Sequence, residues 1–342
     1  MGYYCGIDLA NKESVICILD GRRRVIAEES VATSAAGLRK VFKRYKGLQC
    51  IVEASPLSEW LCTEVEKHGH EITMVCPRKV KAALSGQSKK KTDKRDARAL
   101  AELCRSGWYE PVHRKSAEAR EMRSYLTARK QIVQCSQALG SSIRGILRAH
   151  GVKLDTGSDE ADFETRVRSV LKALPALAQR GIEELLKSFI QLHGQQRALY
   201  KELDKHAKKN EVTELLRTIP SIGAATASAF VATIDDPNRF ATADKVGAYI
   251  GLTASVYQSG DTEYRGRITK TGDKLLRWLL VEAAQNLLTR SNSSSDLKRW
   301  GLKLREKKGL GKARVAVARR LSGIMWKMWK DNQTFNSEAQ AA

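Results

Sequence analysis

Four carboxylates stand where chemistry is plausible. Asp8 and Glu53 each sit near the end of a short apolar run, in YYCGID and QCIVE. Asp93 and Asp96 lie three residues apart in KTDKRDARALAEL, where a helical pattern begins. That spacing places both on one helix face, and a helix N-terminus favours negative charge. Taken singly, each has an ordinary explanation: a turn aspartate, a solvated strand end, or helix caps. Taken together, they are a set of hard oxygen donors of the kind that suits Mg²⁺. Two such ions about 3.5–4 Å apart can stabilise both the attacking and the leaving oxygen of a phosphoryl transfer. Lys89, Lys90, Lys91, Lys94 and Arg95 surround Asp93 and Asp96 and would hold an anionic substrate nearby.

A second constellation lies far along the chain. It runs from Gly251-Leu252-Thr253 through Tyr257-Gln258-Ser259-Gly260 to Arg265, Arg267 and Lys270. Serine before glycine in a loop offers an unhindered hydroxyl, and the three cations could stabilise charge on a phosphorane. A turn serine is the common alternative. Tyr257 is a rival nucleophile, but the histidine-and-arginine pattern expected around a recombinase tyrosine is missing.

Positioning these groups requires a particular order of elements. Strand signals cover Tyr3–Leu9, Ser14–Leu19 and Arg24–Glu29, with the turn Asp20-Gly21 between the last two. Helix Ser34–Tyr45, strand Gln49–Glu53, helix Pro56–His68, strand Glu71–Cys76 and helix Asp96–Ser106 follow. The order β-β-β-α-β-α-β-α is that of an α/β ribonuclease-H-like domain, here expected over 1–113. Residues 114–214 read as a helical, coiled-coil linker and oligomerisation arm, with a loop at 151–162 and breaks near Gly181 and His193-Gly194. Residues 215–332 read as a mainly α domain. It opens on Ile219-Pro220-Ser221-Ile222-Gly223, which resembles a helix-hairpin-helix motif whose backbone amides approach a phosphate. A polar tail, 333–342, ends the chain.

The bulk numbers agree with a polyanionic partner. The net charge is +22 over 342 residues, and residues 216–342 are the most basic third, with 21 Lys/Arg against 11 Asp/Glu. No apolar run is long enough to span a bilayer, and no signal peptide precedes the first strand, so a cytoplasmic, nucleoid-associated protein is expected. The seven cysteines form no C-x-x-C and read as small buried hydrophobes in a reducing compartment. His68 and His70 read as an exposed helix-end turn.

The ordered set resembles the bridge-RNA-guided DEDD transposases of the insertion sequence 110 family over nearly the whole chain. GIDLA, IVEAS and KTDKRDARALAEL are similar to their RuvC-like domain. IPSIG, FATADKVGAYIGL, YQSG and RGRITKTGDKLLRWLLVEAA are similar to their second transposase domain. Ser221 and Ala254 depart from that pattern, where glycine and proline are common. The resemblance implies recombination between donor and target DNA directed by an element-encoded guide RNA. It further implies Mg²⁺ on Asp8, Glu53, Asp93 and Asp96, a covalent phosphoserine at Ser259, and a homo-oligomer, dimer or tetramer, with a composite active site. Two other readings remain: a RuvC-like structure-selective nuclease using metal-activated water, and a non-catalytic RNA- and DNA-binding protein.

Overall fold

Alternation of apolar residues builds a five-stranded sheet from the first quarter of the chain. Strands β1 (Tyr3–Asp8), β2 (Glu13–Asp20) and β3 (Val25–Ala32) form an antiparallel meander. Helix α1 (Ala35–Phe42) crosses to β4 (Gln49–Glu53), which pairs with β1 in parallel; α2 (Ser58–Glu66) crosses to β5 (Glu71–Val75), parallel to β4. The sheet order is β3-β2-β1-β4-β5. A short helix, α3 (Pro77–Ala83), and α4 (Asp93–Ser106) complete this unit. The computed structural model describes residues 2–83, 93–154, 160–259 and 262–337.

The period of two along each strand sorts the core into two layers. Cys5, Ile7, Ile16, Ile18, Cys50 and Val52 face α1 and α2, where Leu38, Phe42 and Leu61 are fully buried. Burying a side chain of that size stabilises by about 1.5–3 kcal/mol. Val15, Cys17 and Leu19 face α4 through Ala97 and Ala101, while Ile51 and Val75 face α3 and α4 through Val80, Leu100 and Leu103. His70 corrects the expectation of an exposed turn. It is 4% exposed; its Nδ1 accepts from the Leu48 N–H at 3.2 Å and its Nε2 donates to the Phe42 carbonyl at 3.0 Å.

The chain separates into two compact units, residues 1–114 and 115–342. In the second, α5 (Ala117–Ala149) and α7 (Ala176–Lys208) form an antiparallel hairpin, with α6 (Glu160–Leu171) packed at its tip around Ile143, Phe163, Val167 and Phe189. Helix α7 runs unbroken through Gly181 and Gly194, so the expected breaks are absent. An internal glycine costs about 1 kcal/mol, which the stripe Ile182, Leu186 and Phe189 offsets.

Leu126, Leu203 and Ala207 of this hairpin share one core with the last third of the chain. That core gathers α8 (Glu211–Arg217), α9 (Ala224–Ile234), α10 (Ala243–Ile250), α11 (Lys274–Thr289) and α12 (Asp296–Asp331), the last bent at Gly309. Between α8 and α9, Ser221 adopts φ 72°, the left-handed conformation that glycine enters freely. Strands β6 (Ala254–Ser259) and β7 (Thr262–Ile268) form an antiparallel hairpin where the sequence suggested a loop.

Candidate active site

Two parallel strands bring Asp8 and Glu53 side by side. Ile7 is in register with Val52, so Asp8 and Glu53 follow on neighbouring strands, each the last residue of its own. Parallel neighbours lie about 4.7–4.9 Å apart. Ile7 and Val52 belong to the α1–α2 layer, so the next residues belong to the opposite face, which α4 covers.

The direction of α4 decides what meets them there. Near its end, the Cys104 Sγ donates to the Gln49 carbonyl at the start of β4, at 3.1 Å. Near its beginning, the backbone of Ala97 and Ala101 lies directly on Gly6; a Cβ there would stand 2.1 Å from the Ala97 carbonyl oxygen. Helix α4 therefore runs antiparallel to β1 and β4. Its first turn, with Asp93 and Asp96, lies at the strand end that carries Asp8 and Glu53. Asp93 belongs to the helix itself, three residues earlier than the sequence suggested. All four positions thus share one end and one face of the sheet. Asp8, Glu53 and Asp96 are half-buried and each has an interaction partner; Asp93 is exposed.

A buried hydroxyl stiffens the Glu53 side of this corner. Ser58 is fully buried; its hydroxyl donates to the Glu53 carbonyl at 2.7 Å and accepts from the Ser55 N–H at 2.7 Å. On the outer surface of α4, burial pushes the Glu102 carboxyl up, but hydrogen bonds from Arg23 and Arg105 outweigh this and hold it below its ordinary value. Lys94 pairs with Glu28 at 3.6 Å, and Arg95 is exposed. Lys89, Lys90 and Lys91 lie outside the described residues.

The donor set fits a divalent ion in its chemistry, since all four groups offer hard oxygens. Among the described residues, however, no three carboxylate, histidine or cysteine side chains are gathered as a metal cluster. The backbone places the donors at one corner without closing them on a common point.

Ser259 belongs to the second unit, as the last residue of β6 and in register with Thr262. The base of its hairpin is held by two glycines packed against opposite backbones. A Cβ on Gly251 would stand 2.1 Å from the Thr271 carbonyl oxygen, and one on Gly272 would stand 2.0 Å from that of Tyr249; both have φ 77°. The Arg277 guanidinium donates to the Ile250 and Thr271 carbonyls, both at 2.8 Å, and so bridges the two sides. Asp273 caps α11 and pairs with Arg123 at 2.6 Å. Arg267 and Lys270 are exposed near this base, and Arg265 lies on β7. Sequence reasoning missed Ser58 and Arg277. A lone arginine inside the apolar run LLRWLLVEAA was the available signal for the second.

Two family models match in order along the chain, the first extending past the boundary between the two compact units. Residues 5–151 match the DEDD transposase model of the insertion element IS110 class, described as "Transposase". Residues 213–299 match the model described as "Transposase IS116/IS110/IS902 family". The "Transposase for insertion sequence element IS1111A" of Coxiella burnetii is 27% identical over 98% of this chain and 91% of its own length. The "Probable family 20 transposase" of Pseudomonas aeruginosa is 26% identical over 94% of this chain and 95% of its own. The "Transposase for insertion sequence element IS1328" of Yersinia enterocolitica is 24% identical over 87% and 91%. Two family models matched in order, each on one of the two residue constellations, together with relatives aligned nearly end to end, show that this chain belongs to the IS116/IS110/IS902 family of transposases.

Proposed function

We propose that this transposase cuts and rejoins DNA through a covalent phosphoserine at Ser259, guided by an RNA made by its own element. The observation that carries the reading is that β1, β4 and the first turn of α4 put the positions of Asp8, Glu53, Asp93 and Asp96 at one end of one face of the sheet. In this reading the α/β domain is RuvC-like and its corner holds Mg²⁺. Such an ion, when bound, stabilises charge on the phosphoryl oxygens of the strand being cut.

The residues of the chain would divide the remaining work. The Ser259 oxygen forms a bond to phosphorus, the phosphorus–oxygen bond to the departing strand breaks, and the hydroxyl proton ends on that strand's oxygen. Reversal with a different strand hydroxyl rejoins DNA and releases the serine, so no outside energy is needed. Arg265 would neutralise phosphate along the hairpin that carries the serine, Arg267 and Lys270 would do so toward its base, and the Gly251–Gly272 clasp would keep that base from yielding. Lys89, Lys90, Lys91, Lys94 and Arg95 would hold nucleic acid at the carboxylate corner. In this reading a homo-oligomer, dimer or tetramer, lets one protomer's carboxylates serve another's serine. Donor DNA, target DNA and the guide RNA are the partners. Among the described residues no helix is long and apolar enough to cross a membrane.

The Asp8→Asn variant tests the metal corner. It should lose Mg²⁺-dependent strand cutting while binding DNA as tightly as the wild type. Unchanged cutting would remove Asp8 from the chemistry. Guidance has its own check in the DNA flanking the gene: a non-coding stretch encoding a foldable RNA whose loops pair with the element ends and the target. Strand transfer that proceeds equally without that RNA would overturn it.

A further inference from the structure

The turn after α4 exposes a large aromatic side chain that the fold itself does not need. Trp108 is 68% exposed, although both its flanks are fixed. Gly107, at φ 67°, turns the chain out of α4, and Pro111 and Val112 then lie along the edge strand β5, where the Val112 N–H donates to the Met74 carbonyl at 2.7 Å. Leaving an indole in water costs solvation without stabilising the core. Such a ring is suited to receive a flat partner.

A cavity of about 490 Å³ opens here, lined by Val75, Val80, Leu103, Trp108 and Tyr109 among others. That volume lies in the range of small-molecule sites and admits a nucleobase with its sugar. Lys79 and Glu110 form an ion pair that ties α3 to the turn across the cavity wall. Both are mostly exposed, so the pair is weak, and the Lys79 ammonium can turn to an incoming phosphate.

Its position relative to the carboxylates gives the cavity a purpose. Val75 is in register with Glu53 on the adjacent parallel strand and faces the same side of the sheet. The cavity therefore begins one strand beyond Glu53, on the side away from Asp8. A phosphodiester held at the carboxylate corner would carry its neighbouring nucleoside toward this opening.

The geometry points to a binding pocket for an unstacked nucleobase, with Trp108 as its stacking platform, that opens one strand beyond Glu53. It rests on the nucleic-acid reading above and adds what that reading lacks, a place for the base displaced beside the cut. Aromatic stacking accepts any base, so the pocket confers local strand opening rather than sequence choice.

The test uses single-stranded DNA and RNA oligonucleotides of the same mixed sequence carrying 2-aminopurine, with the full-length protein and its Trp108→Leu and Trp108→Phe variants. Trp108→Leu should weaken single-strand binding roughly 5- to 150-fold, the range that loss of one stacked base produces, and should abolish the 2-aminopurine signal. Trp108→Phe should restore most of both. The slope of affinity against salt should stay unchanged, because no phosphate contact is removed. The DNA and RNA arms decide which strand supplies the base. Equal binding by the leucine variant and the wild type overturns the pocket and leaves the transposase reading intact. A leucine variant as good as the phenylalanine variant also overturns it, because apolar bulk would then suffice. A wild type that binds neither oligonucleotide overturns both readings. Thermal melting should be unaltered, since Trp108 lies mostly in solvent.

Discussion

Gly6 shows how one missing side chain sets the candidate site. The backbone of α4 lies on it so closely that any Cβ would overlap Ala97 and Ala101. Gly6→Ala must push α4 away from β1, and overpacking of a tight contact costs about 1–3 kcal/mol. Urea unfolding should show at least that loss, and strand cutting should fall further than folding does, because Asp93 and Asp96 travel with the helix. A variant of wild-type stability and activity would mean that α4 does not depend on this contact. The residue types of the site were legible in the sequence: two acids ending apolar strands and two spaced by a helical turn. Two residues were less so. His70 read as exposed because its side-chain partners, the Leu48 N–H and the Phe42 carbonyl, come from distant turns. Ser221 departs from the glycine of related hairpins, yet its backbone keeps the glycine-like φ of 72°.

Elements were legible wherever burial imposed a period. Strands β1, β2, β4 and β5 and helices α1, α2 and α5 stand within a few residues of where alternation and apolar spacing put them. The β6–β7 hairpin was not recognised because its strands carry Ser, Gln, Glu, Thr, Arg and Gly among few apolar residues, so that no buried apolar run marks them. Its base is what the structure adds, a glycine clasp bridged by Arg277. Beside this base, the half-buried Lys115 sets its ammonium over the Tyr249 ring and donates to the Thr233 carbonyl. Burial pushes its ammonium down to about 8, Arg239 and Arg123 add repulsion, and Asp235 and Asp273 oppose them. An unfolded lysine holds its proton to about pH 10.4. Between these values the unfolded chain binds the proton that the folded chain releases, so this group makes stability rise with pH. The melting temperature of the wild type should therefore gain on that of Lys115→Met from pH 8 to pH 10. A constant difference would show that Lys115 is not strained in its charged form.

At the scale of the whole molecule, the two constellations occupy separate compact units that the chain joins at 114–115. Sequence order alone could not say whether Ser259 works with the carboxylates of its own chain. The proposed composite site makes a direct prediction. Asp8→Asn and Ser259→Ala should each be inactive, and a mixture of the two should regain part of the wild-type strand transfer, because one mixed pairing carries an intact corner and an intact serine. A mixture as inactive as its components would place the whole site within one chain. The charge of +22 belongs to this scale too. It provides long-range attraction for DNA, and it costs self-repulsion that a polyanionic partner relieves. The central claim remains the covalent link at Ser259, and its most direct measurement is adduct trapping on nicked element-end DNA with Mg²⁺ and guide RNA. The account predicts a protein–DNA adduct whose peptide map ends on Ser259 and which is absent from Ser259→Ala. An adduct that persists in Ser259→Ala, or cutting by the wild type without any adduct, would contradict it.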